Sequence, residues 1–124
     1  MTETARTVLL VEDEPDVRFA TRLVLEDAGY AVIEAREGQE AIERLETTKV
    51  DAMFLDLRLP GIDGWRVLED LRARSGGSLP PVIILSAQAD PSAVTRSVGL
   101  GAVAYVMKPF HAADLTQAVA AVLE

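Results

Sequence analysis

The sequence predicts an α/β domain: a doubly wound, five-stranded parallel sheet with helices on both faces, built as (βα) repeated five times. Two observations predict it. Val8-Leu9-Leu10-Val11, Met53-Phe54-Leu55, Val82-Ile83-Ile84-Leu85 and Val103 to Met107 are short, unbroken apolar runs, as strands buried on both faces require. Between them lie stretches of helical period, at a pitch that alternates strand and helix along the whole chain.

The elements follow in order. A strand near 7–12 precedes a helix near 15–28, which Pro15 can open because its missing N–H costs nothing in the first turn. Val17, Ala20, Val24 and Ala28 are expected to form the inward stripe of that helix, leaving Phe19 and Leu23 on the far side. Gly29 suits a left-handed C-cap. A strand over 31–35 leads to a helix near 38–47 with Ala41, Ile42 and Leu45 inward. The third strand is expected at 51–56, followed by a loop over 57–63 broken by Pro60 and Gly61. A helix near 64–74 turns Val67, Leu68 and Leu71 inward, and the segment 75–81 is a connection. Then come a strand at 82–86, a helix near 91–98, a strand at 103–107 and a helix near 111–123 whose buried face is Leu115, Ala118, Val119 and Val122.

Composition narrows the function classes. The 124 residues make one domain with 49 % hydrophobic content, so the chain can bury a core. Twenty acids against 12 bases give a net charge of −8, which argues against direct binding to nucleic acid or to an anionic membrane. The absence of cysteine excludes disulfides and thiolate metal sites. No apolar signal core and no membrane-spanning stretch is visible, so a soluble, cytoplasmic protein is expected.

The apolar runs end on polar residues: Glu12 and Asp13, Asp56, Ser86, and Lys108. In a parallel sheet these ends lie along one edge, where ligands bind. Three acids, a hydroxyl and an amine together suit a divalent cation and a phosphoryl group. Each residue also has a plainer reading. Asp13 reads equally well as the N-cap of the helix at Pro15, Lys108 as a surface lysine, and Ser86 as a turn hydroxyl. Three carboxylates within ~5 Å repel by roughly 3 kcal/mol per pair at an effective dielectric of 20, a cost that a cation offsets. With oxygen ligands and no cysteine, Mg²⁺ is the natural ion.

Glu12-Asp13, Asp56 with Leu59-Pro60-Gly61-Ile62-Asp63-Gly64, Ser86-Ala87, and Tyr105 with Lys108-Pro109-Phe110 resemble the receiver domain of two-component response regulators. The resemblance covers nearly the whole chain and implies a flavodoxin-like fold similar to the chemotaxis response regulator, with 1–124 as one receiver domain and no output domain. It implies that Asp56 accepts a phosphoryl group from a histidine kinase or phosphotransfer protein. It implies Mg²⁺ held by Glu12, Asp13, Asp56 and the backbone carbonyl of Arg58. Ser86 and Lys108 would contact the phosphoryl oxygens, and Ser86 and Tyr105 would form the switch. Arg58 and Gln88 would flank the phosphoryl group. The implied partners are the phosphodonor and a downstream protein target or fused output domain, with no nucleic acid or membrane bound directly. In this family kinase helices dock on the first helix, beside the phosphorylation site, which implies that Phe19 and Leu23 belong to a partner surface, for a kinase or a second subunit; the plainer reading is that residues 1–6 or an irregular helix covers them. Glu12 stands where Asp is frequent and Ser86 where Thr is frequent; both keep the chemistry.

A cis peptide is expected at Lys108–Pro109, because Lys108 must aim at the site while Phe110 turns back to the core. Rival readings fit less well. A haloacid-dehalogenase-like phosphotransferase with an aspartyl nucleophile uses D-x-D, where this chain has Asp56-Leu57-Arg58 and no cap domain. A flavodoxin-like electron carrier needs a Ser/Thr-rich phosphate loop where this chain has Glu12-Asp13-Glu14. The G-x-G-x-x-A match at Gly99 to Ala104 follows a helix and precedes a strand, the reverse of a dinucleotide site.

Overall fold

A computed structural model describes residues 5–58, 64–75, 79–87 and 91–123. The order is β1 (Thr7–Val11), α1 (Pro15–Asp27), β2 (Ala31–Ala35), α2 (Gly38–Thr47), β3 (Ala52–Asp56), α3 (Gly64–Ser75), β4 (Val82–Ser86), α4 (Pro91–Gly99), β5 (Ala102–Met107) and α5 (Ala112–Leu123). All neighbouring strands are parallel, in the spatial order β2-β1-β3-β4-β5. The chain reverses its direction of travel across the sheet between β1 and β3. The crevice beyond their carboxyl ends is therefore the topological switch point, where open α/β sheets bind ligands.

Two apolar layers flank the sheet, which explains the unbroken runs of β1, β3 and β4; β5 lies at the sheet edge with Val103 and Met107 exposed, so its run is not buried on both faces as expected. Alternation along β1 sends Leu9 and Val11 into one layer, with Ala41 and Ile42 of α2 and Val67, Leu68 and Leu71 of α3. Val8 and Leu10 go to the other, with Leu25 of α1 and Leu115 and Val119 of α5. The predicted inward faces of α2, α3 and α5 all lie on these layers.

The stripe of α1 departs from expectation. Thr21 and Leu25 are its buried residues, while Val17 and Val24 are half-buried and Ala20 and Ala28 exposed. The buried face is centred on Thr21 and Leu25, four apart. Val17, Ala20, Thr21 and Val24 line an open groove of about 670 Å³, which Phe110 and Leu115 wall from the other side, and Val24 also packs on the second apolar layer as expected. Phe19 and Leu23 face outward, as the helical period predicts, at 63 % and 49 % exposure.

Helix ends obey local chemistry. Gly29 takes φ 101°, with Gly29 N–H donating to Glu26 O at 3.0 Å and Tyr30 N–H to Leu25 O at 3.1 Å, a Schellman close for α1. His111 is outside α5 rather than its first residue, because its N–H donates to Asp114 Oδ2 at 2.8 Å as a helix-start group does. The Lys108–Pro109 peptide is cis. The predicted breaker Pro60-Gly61, and Gln88, lie outside the described residues. Among the described residues no helix is long and apolar enough to cross a membrane.

Candidate functional site

β1 and β3 are in register with Val11 opposite Leu55, so Glu12 and Asp56 are the next residues at adjoining strand ends. Asp13 joins them because β1 has ended and the alternation of side chains is broken there. One carboxylate oxygen from each of Glu12, Asp13 and Asp56 lies within 4.8 Å of the others. Glu12 and Asp56 are buried and Asp13 is half-buried. The N-cap position of α1 belongs to Glu14, not Asp13, and Glu14 makes no side-chain cap bond. The capping alternative for Asp13 is thereby set aside.

Lys108 arrives from the end of β5. Its backbone N–H donates to Ser86 O at 2.8 Å, which holds the end of β5 against β4. Its Nζ donates to Asp56 Oδ2 at 2.7 Å and to Glu12 Oε1 at 3.0 Å. It is therefore no surface lysine but the bridge between two buried acids. Asp56 Oδ1 accepts the backbone N–H of Arg58 at 2.9 Å, so both its oxygens are engaged. Gly64 lets the start of α3 lie directly on this strand end: a Cβ there would stand 2.5 Å from Leu57 Cα and 2.8 Å from Asp56 O. Ser86 is buried at the end of β4, the strand beside Asp56. Tyr105 pairs with Ile84 and shares a sheet face with it and with Ser86, two residues along. Arg58 carries an exposed side chain just past Asp56.

Burial governs the charges. Glu12 is raised from 4.5 to about 7, first by loss of water and then by its contact with Asp56; Lys108 only partly offsets these. Burial alone would lower Lys108, but its hydrogen bonds to Asp56 and Glu12 outweigh it and raise the amine, which stays charged. Three carboxylates thus face one ammonium, and the donor set is all oxygen. Such a set fits a hard divalent cation of the Mg²⁺ class, which takes a few carboxylates and keeps several waters.

Arg18 is a residue that sequence reasoning passed over. Its Nη1 donates to Glu12 O at 3.0 Å and Asp13 O at 3.3 Å, and its Nε to Glu34 Oε1 at 2.8 Å. One signal was available: a base in the first turns of a helix opposes the macrodipole and calls for a compensating partner.

Comparison with known proteins agrees with this geometry. Residues 8–120 match the family described as the response regulator receiver domain. The transcriptional regulatory protein CseB of Streptomyces coelicolor is 40 % identical over 116 residues, which are 94 % of this chain and 48 % of that protein. Among solved structures, the chemotaxis protein CheY4 of Vibrio cholerae superposes with a TM-score of 0.90 at 27 % identity, covering 97 % of this chain and all of that one. A response regulator from Chloroflexus aurantiacus gives 0.89 at 35 % identity, covering 97 % and 98 %. The chain spans about half the length of the curated relatives it matches.

Proposed function

This chain belongs to the response regulator receiver family of two-component phosphorelays, and we propose that Asp56 is its phosphoacceptor. The observation that carries this is the Lys108 ammonium held between Asp56 Oδ2 and Glu12 Oε1 beside a third carboxylate. Asp56 attacks the phosphorus of a phosphohistidine on a kinase or phosphotransfer protein. The P–N bond breaks as the new O–P bond forms, and the imidazole departs with the electron pair. Glu12, Asp13, Asp56 and the Arg58 carbonyl would hold Mg²⁺, which would supply positive charge against the phosphoryl oxygens.

Lys108 then exchanges a carboxylate partner for a phosphoryl oxygen, and Ser86 donates its hydroxyl to another. A hydrogen bond to a charged group contributes about 1.5–3 kcal/mol, and moving a two-state equilibrium from 1:99 to 99:1 takes about 5.5. Lys108 already holds two carboxylates before phosphorylation, so its net gain is below that range. More of the switching energy therefore falls to Ser86 and to the repacking of Tyr105 on the same face. Arg58, two residues past Asp56 with an exposed side chain, sets how readily water reaches the phosphoryl group; Gln88, two residues past Ser86 in the sequence, would share that role.

Residues 1–124 act as the receiver domain, in the cytoplasm, and pass the signal to a downstream protein target or an attached output domain. Relatives named as transcriptional regulators support that reading. The net charge of −8 supports no direct nucleic-acid contact by this domain. Phe19 and Leu23 form an outward apolar pair on α1 that receives the phosphodonor's helices. Turnover is limited to the chain's own phosphoryl transfer and hydrolysis; Asp56-Leu57-Arg58 lacks the second acid of a small-substrate phosphotransferase.

Incubation with acetyl phosphate and Mg²⁺ tests the assignment. The wild-type chain is expected to gain one phosphoryl group and Asp56→Asn none. Labelling that persists in Asp56→Asn contradicts it.

A further inference from the structure

We propose that Arg18 is a positioning residue for the acid site, fixing the backbone of the Glu12-Asp13 turn, with Glu34 as its anchor; this rests on the reading of Glu12, Asp13 and Asp56 as cation-holding acids. Glu12 and Asp13 are consecutive, and on a continuing strand their side chains would point to opposite faces. For both to face Asp56, the backbone must leave the strand between them, and it must hold that course against the mutual repulsion of the acids. The carbonyl oxygens of those two residues accept from one guanidinium nitrogen, Arg18 Nη1, at 3.0 and 3.3 Å. The same guanidinium is fixed from behind by Nε to Glu34 Oε1 at 2.8 Å. Glu34 stands on β2 opposite Leu10, two residues before Glu12, so the fork ties the turn to the neighbouring strand. The Arg18 N–H also donates to Glu14 O at 2.9 Å, so α1 starts from the turn that its own side chain holds. The Arg18 side chain is 15 % exposed, which keeps water from taking its place on the carbonyls.

The guanidinium's planar fork makes this possible, and a lysine lacks it: one ammonium on a flexible stem cannot serve the carbonyls and Glu34 together in that geometry. Arg22 supplies the contrast. It donates to the same Glu34 and to Glu26, yet its hydrogen bonds reach neither Glu12 nor Asp13. A merely structural role would be shared by both arginines; a positioning role belongs to Arg18 alone.

Calorimetric titration of the intact chain with Mg²⁺ at neutral pH, with the folded fraction followed by circular dichroism, tests this. Arg18→Ala and Arg18→Lys are expected to weaken Mg²⁺ binding by about 10-fold, the lower end of what loss of a group behind a metal ligand costs. Arg22→Gln is expected to bind as the wild type does. In the Arg18 variants, acetyl phosphate labelling should recover when Mg²⁺ is raised to saturation, a loss of affinity rather than of chemistry. Should Arg18→Ala not fold, Arg18→Lys decides. Folded Arg18 variants with wild-type Mg²⁺ affinity, or an equal loss in Arg22→Gln, overturn the proposal. A wild-type chain that binds no Mg²⁺ overturns instead the reading of the acid site, and this proposal with it.

Discussion

Glu12 and Glu34 are both held by basic side chains near the end of β1, yet their charges are treated in opposite ways. Glu12 is fully buried, shares one lysine with Asp56, and is raised to about 7. Glu34 is only partly buried and receives both Arg18 and Arg22; burial opposes its ionisation, but the two arginines outweigh it and lower it. The ion cluster on α1 and β2 is complete as it stands. The acid site is short of positive charge, and that shortage is the physical basis for binding a cation and accepting a phosphoryl group. One cluster supports the turn; the other is left for a ligand to finish.

The largest expected effect separates the two glutamates by pH. For Glu12, a folded value of about 7 above an unfolded 4.5 means that its stability contribution is full below the unfolded value and lost as pH rises through the folded one. That loss is about 3 kcal/mol. Glu34, lowered in the fold, contributes in the opposite sense: stability present above 4.5 and lost as pH falls below it. Denaturant midpoints in EDTA at about pH 5 and pH 8 should therefore fall less in Glu12→Gln than in the wild type, and Glu12→Gln should be the more stable at the higher pH. Mg²⁺ should flatten the wild-type curve, because it favours ionised Glu12. Identical pH dependence in the two proteins would remove the contrast.

Gly64→Ala comes next. Its Cβ would meet backbone atoms at 2.5 and 2.8 Å, on the strand end that carries Asp56. Overpacking against backbone costs about 2–3 kcal/mol, and Mg²⁺ affinity should fall with stability. Equal melting temperatures would show that the β3–α3 contact yields freely. Glu34→Gln should cost less, about 1 kcal/mol, since it weakens two partly exposed pairs, and its loss should be largest above the carboxylate range of pH. An unchanged unfolding midpoint would show that the cluster is not the finished one.

Much of this was legible in the chain itself, for reasons that differ by residue. The three central strands are covered on both faces, so they had to be apolar without interruption, and the polar residues ending them marked one edge. Asp56 and Lys108 could be placed at that edge on this ground, and the surface reading of Lys108 fell only with its bridge to Asp56 and Glu12. The α1 stripe was misplaced because hydrophobic period ranks Ala20 above Thr21, whereas Thr21 is buried and Ala20 exposed, although both line the groove. Arg18 left only an indirect signal, a base in the first turns of a helix, because it acts on backbone carbonyls, which no side-chain pattern records. Asp13 was ambiguous until the cap position proved to be Glu14.

The smallest effect on the fold concerns Phe19 and Leu23, outside both core layers at 63 % and 49 % exposure. Replacing both with alanine should change stability by less than about 0.5 kcal/mol while slowing transfer from the phosphodonor. A loss of several kcal/mol would place the pair in the core.

Whether the acids act as one cation-assisted acceptor is read most directly by mass-spectrometric mapping after acetyl phosphate treatment and borohydride trapping of the acyl phosphate, with Mg²⁺ in one arm and EDTA in the other. A single modification on Asp56, present with Mg²⁺ and lost in EDTA, is the expected result. Modification at another residue, or equal labelling of Asp56 without a divalent cation, would contradict it.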